Sequence, residues 1–98
     1  MEVFDKVSWQ IDGGIKKENA IEHFRIMYEW LHNNGLLSAD GEESYEFGID
    51  GATSLSERDV TTAGSEFLKK YYDEYISKIT YGEEESTEML DNMLSSMQ

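Results

Sequence analysis

"KKENAIEHFRIMYEWLHNNG", residues 16–35, decides the fold. Placed at 100° per residue, Ala20, Ile21, Phe24, Tyr28 and Leu31 share one sector. His23, Ile26, Met27 and Trp30 widen it to about 220°, more than a surface helix needs. Glu18, Glu22, Arg25, Glu29 and Asn33 fill the rest. The pattern predicts a central helix over 16–34. Gly35 comes next, at a position where a left-handed backbone costs little, and Leu36 is placed to fold back on the last turn.

Downstream, "TTAGSEFLKKYYDEYISKI" (61–79) predicts a second long helix. Thr61 or Thr62 offers an N-cap. Phe67, Leu68, Tyr71, Tyr72, Tyr75, Ile76 and Ile79 cover about half its circumference, and Lys69, Lys70, Asp73, Glu74 and Ser77 the other half. Gly64 costs about 1 kcal/mol against Ala in a helix, which suggests a close backbone contact there. Tyr71, Tyr72 and Tyr75 suit core packing, with an aromatic binding patch shared with Trp9 and Trp30 as the alternative.

The remaining elements are short. "VFDKVSWQI" (3–11) alternates at Val7, Trp9 and Ile11, and "YEFGI" (45–49) at Tyr45, Phe47 and Ile49. Both read as strands, pairing as a two-stranded ribbon across 7–11 and 45–49. "SLSERD" (54–59) reads as one helical turn, with Ser54 and Glu57 at capping-box spacing. After Tyr81-Gly82, Ser86 or Thr87 starts a C-terminal helix striped by Met89, Leu90, Met93, Leu94 and Met97. The expected fold is therefore mainly α: two long amphipathic helices, a short turn-helix, a C-terminal helix and a small two-stranded β element. Residues 1–82 are expected to form one domain, and 83–98 an acidic linker with a Met/Leu-rich helix.

Composition narrows the function. The 98 residues carry 21 acids against 8 bases, a net charge of -13, with no Cys and no Pro. Residues 83–98 hold five acids and no base. Such a chain repels nucleic acid and anionic membranes and attracts basic partners. No apolar run nears the length of a membrane span, and no signal-peptide pattern opens the sequence, so a cytoplasmic location is expected.

Two phrases, "WLHNNGLLSADG" (30–41) and "TTAGSEFL" (61–68), resemble winged-helix DNA readers. The resemblance spans at most residues 17–79. It implies an α+β, winged-helix-like alternative and a transcriptional regulator. That function would need Lys16, Lys17, Arg58, Lys69 and Lys70 to converge on phosphates. The acids beside them argue against it.

Catalytic signatures are missing. Without Cys there is no thiolate, no Ser stands in a Gly-x-Ser-x-Gly elbow, and "DGG" (12–14) lacks the Walker spacing. "DGEESYE" (40–46) fails the EF-hand pattern, with Tyr45 and Gly51 at its sixth and twelfth positions. No enzyme activity, cofactor or metal is expected. His23, on the apolar arc, reads as a hydrogen-bonded core histidine.

The leading expectation is a small acidic protein-binding module, of the immunity, antitoxin or mobile-element accessory type, meeting a basic protein. An acidic mimic of DNA is an alternative. Glu42, Glu43 and Glu46 form one candidate contact set. Glu83, Glu84 and Glu85, with Met89, Met93 and Met97 beyond them, form another. The stripe over 86–97 has three possible uses: docking on its own domain, a homodimer, or another protein.

Overall fold

The structure is a computed structural model that describes residues 1–83 and 85–97. Its elements run β1 (Val3–Lys6), α1 (Val7–Asp12), α2 (Lys17–Asn33), α3 (Ala39–Phe47), β2 (Ser54–Ser56), a 3₁₀ turn (Glu57–Asp59), α4 (Thr62–Lys78) and α5 (Glu88–Ser96). It is mainly helical, with one two-stranded antiparallel sheet.

The two long helices lie where their periodicity places them. α2 buries Ala20, His23, Phe24, Met27, Tyr28, Trp30 and Leu31. α4 buries Gly64, Phe67, Leu68, Tyr72 and Tyr75. Phe67 and Trp30 meet with ring centroids 5.0 Å apart. α2 ends in a Schellman motif. Leu36 N–H donates to Leu31 O at 2.9 Å and Gly35 N–H to His32 O at 3.1 Å, with Gly35 at φ 68°. Leu36 is buried against the core, as the motif's hydrophobic contact requires.

A two-stranded ribbon exists, but it is made of other segments than 7–11 and 45–49. β1 pairs with β2 through Val3–Ser56, Asp5–Leu55 and Lys6–Ser54, with a bulge between Val3 and Asp5. Residues 7–12 are helical instead of extended. Their sequence fits both periods, and the helical one wins because it buries Val7 and Gln10, three apart, on one side. Trp9 is thereby left half exposed. Residues 45–47 are likewise helical, forming the last turn of α3. The capping box in 54–59 joins Ser56 and Asp59, not Ser54 and Glu57, because Ser54–Ser56 belong to the sheet.

A repeated local device starts α3 and α4. Ser38 caps α3 by accepting from Gly41 N–H at 3.2 Å, and Thr61 caps α4 by accepting from Gly64 N–H at 3.1 Å. The stretches of chain before each cap run alongside one another. Thr61 N–H donates to Leu36 O at 2.9 Å and Ser38 N–H to Asp59 O at 3.0 Å. Each glycine sits over the other's lead-in. A Cβ on Gly41 would lie 1.9 Å from Asp59 O, and one on Gly64 2.7 Å from Leu36 O. "SADG" and "TTAG" are thus two copies of one solution, a hydroxyl cap and, three residues later, a glycine that admits a neighbouring backbone.

This geometry accounts for the winged-helix accent of the sequence. Among the described residues, α4 leads to α5 and no β-hairpin wing is formed.

α5 packs on its own chain. Leu90 is fully buried and Met93 nearly so, while Met89, Leu94 and Met97 are partly covered. The Trp30 indole N–H donates to Asp91 Oδ1 at 2.8 Å, tying α5 to α2.

Candidate functional site

Carboxylates occur in two settings in this molecule, one inside and one outside. The inner setting is a line of polar side chains through the core. The bulge in β1 turns Asp5 inward, where its Oδ2 accepts from Gln10 Nε2 and from the Tyr72 hydroxyl, both at 2.5 Å. The Tyr72 oxygen faces His23 Nε2 at 3.0 Å. His23 Nδ1 lies 2.7 Å from Glu85 Oε1, and the Tyr75 hydroxyl donates to Glu85 Oε2 at 2.7 Å. The side chains of His23 and Glu85 are 1% and 5% exposed. Buried polar groups need partners, and these supply one another except at Gln10 Oε1, which is buried without a partner among the described residues.

The tyrosines register that burial. The Tyr72 hydroxyl is pushed well above its usual range by desolvation and by the Asp5 charge. Tyr75 rises through desolvation and its bond to Glu85, and Tyr28 through desolvation and Asp59. Tyr81, packed edge-on to His23, is pushed up to about 12 by desolvation, then by Asp5 and Glu85. His23 is the hydrogen-bonded core histidine that its place on the apolar arc implies. The depression above His23 holds only about 110 Å³.

The outer setting is α3. Asp40, Glu43, Ser44 and Phe47 stand at helical spacings of three and four and form one wall of a cleft of about 400 Å³. The opposite wall comes from Ala52, Thr53, Ser54 and Arg58. Phe47 is 84% exposed, the most exposed large apolar side chain of the described residues. Nothing among the described residues covers it. Arg58 leans toward Asp40, Nε to Oδ2 4.0 Å, with both side chains more than half exposed.

The structure divides the acids that the sequence groups together. Glu43 lines this cleft, and Glu46 sits beside Phe47 on its other flank. Glu42 turns to His32, with Oε2 2.7 Å from Nδ1. Glu83 and Met89 line a second cleft of about 520 Å³ with Lys78, Ile79 and Glu88. Glu85 also borders it, yet its carboxylate is spent inside on His23 and Tyr75. Glu84 lies outside the described residues. Met93 is buried, and Met97 is half covered at the end of α5.

Phe47 and Asp40 are the site residues that sequence reasoning missed. The missing signal was the cap: Ser38 with Asp40 and Glu42 in the next turn is a helix start, and it places residues 40, 43, 44 and 47 on one face.

Three of the basic residues have neighbours of their own. Arg58 is drawn to Asp40, Lys69 pairs with Glu57 at 3.1 Å, and Lys70 lies over the Tyr71 ring. The Glu57 carboxyl is held below its usual range by its hydrogen bond from Lys69, and the Lys69 ammonium is raised by the same bond. Among the described residues, no group of three His, Cys, Asp or Glu is placed to hold a metal ion. No helix of the described residues is long and apolar enough to cross a membrane. No protein-family model, curated protein or solved structure matches the chain.

Proposed function

We propose that the protein is a non-enzymatic binding module whose acidic surface docks a basic protein, in the manner of an immunity or antitoxin-type inhibitor or a mobile-element accessory protein, in the cytoplasm. The observation that carries this reading is the exposed Phe47 between Glu43 and Glu46. Leaving a phenylalanine in water forgoes about 2 kcal/mol of burial. An aromatic anchor within a charged rim is the usual makeup of a protein-docking patch. A surface carrying -13 overall speeds encounter with a positive partner and disfavours nucleic acid.

The test is differential affinity capture at low salt. The unmodified chain is compared with Glu43→Lys/Glu46→Lys/Phe47→Ser and with Glu83→Lys/Glu88→Lys. A basic protein retained by the first and third baits and lost from the second supports the reading. Recovery of no basic protein, or equal recovery on all three, removes it.

A further inference from the structure

We infer that the α3 cleft is built to take an arginine side chain from its protein partner, and that Arg58 is the chain's own guanidinium standing in the way. The inference rests on the binding-module reading above and specifies the contact.

Three observations converge. The cleft wall presents Asp40 and Glu43 one turn apart, with Phe47 a further turn on. That order suits a guanidinium, which is planar and forks between carboxylates while its flat face lies on an aromatic ring. A lysine ammonium, a compact and strongly hydrated point charge, uses the ring less well. The cleft also already attracts a guanidinium, that of Arg58 toward Asp40. The pair is long, at 4.0 Å, and open to water, with side chains 64% and 59% exposed. A contact of this kind is weak and exchangeable. Finally, the cleft is backed by packed chain. Asp59, which lines it, is buried and accepts from Ser56 N–H at 2.9 Å, and its carbonyl oxygen lies against Gly41 at the start of α3. An incoming side chain would meet a wall already formed in the free chain.

Displacing Arg58 costs a partner the Asp40 pair. Removing Arg58 should therefore tighten binding beyond the effect of removing one positive charge elsewhere. Arg25 provides the control. It too is an exposed arginine paired with a carboxylate, that of Glu22, but it lies on α2 and does not line the cleft.

The probe is N-acetyl hexa-arginine amide, titrated by calorimetry at low salt against the full chain, with hexa-lysine amide for comparison. Arg58→Gln should bind hexa-arginine more tightly than Arg25→Gln does, by up to about five-fold, the size of one exposed ion pair. Phe47→Ser and Glu43→Gln should each weaken it, and unmodified protein should prefer arginine to lysine. Thermal melts of each variant check that the fold is kept. If the peptide binds but Arg58→Gln and Arg25→Gln act equally and Phe47→Ser has no effect, the arginine cleft is overturned while the acidic module stands. If hexa-arginine fails to bind even at low salt, the binding-module reading falls with it.

Discussion

α3 and α5 are both nine-residue helices with acids in their first turns, yet the fold uses them in opposite ways. α5 docks by side chains, inserting Leu90 and Met93 into the core. α3 docks mainly by backbone: the one residue it fully buries is Gly41, pressed against Asp59, with Tyr45 and Glu42 resting on His32 from its other face. A helix held through a glycine at its start has one whole face of side chains left over. That is why α3 can offer a wall of Asp40, Glu43 and Phe47 to a partner, while α5 is committed to closing its own domain. Acidity alone does not distinguish them. Attachment does.

The contrast can be tested in order of expected effect. Leu90→Ala removes a fully buried side chain and should cost about 4 kcal/mol, read by urea denaturation. A cost below about 1 kcal/mol would mean that α5 does not close the core in solution. Glu85→Ala should cost about 3 kcal/mol, because it leaves His23 and the Tyr75 hydroxyl buried without their shared acceptor. Glu43→Ala, the same chemical change on α3, should stay within about 0.5 kcal/mol. Equal costs for the two would abolish the distinction between inner and outer acids.

The third effect is alkaline. Tyr28, Tyr72, Tyr75 and Tyr81 are all raised above the ordinary tyrosine value of 10.0 in the folded state, chiefly by desolvation. Their contribution to stability is full below about pH 10, where unfolded tyrosine is still neutral. It falls above that pH, as the unfolded chain ionises first, and for Tyr81 it is lost by about pH 12. Thermal midpoints should be flat from about pH 8 to 9.5 and drop steeply beyond about 10; a midpoint unchanged at about pH 11 would contradict the buried hydroxyls. The smallest effect on stability is expected for Phe47→Ser, within about 0.5 kcal/mol, since that ring touches little of its own fold.

How far the sequence discloses this arrangement depends on how firmly an apolar stripe repeats. α2 and α4 are legible because a stripe repeated over several turns has no competing period, and the nine-residue α5 because Met89, Leu90, Met93, Leu94 and Met97 all keep helical spacing. In 7–12 and 39–47 the stripe covers only one or two turns, and alternation at Trp9 and Ile11, or at Tyr45 and Phe47, imitates a strand. In 39–47 the Ser38 cap was the better guide, whereas 7–12 has no side-chain cap to read. The inner acids were beyond reach for a different reason. Glu85 finds His23 across 62 residues, and nothing in "GEEES" separates it from its neighbours. His23 was recognisable as a core histidine, but its partner was not.

The polar line through the core also fixes when the protein can finish folding. Asp5 and Tyr72 are 67 positions apart, and Glu85 and Leu90 come later still. A chain emerging from the ribosome can wind α2 early. It holds His23 and Tyr75 without their acceptor, and an open apolar seam, until residues 85–93 have been made. Folding of this domain therefore waits on residues 85–93, and a chain cut short before them carries an unfinished core that quality control can recognise.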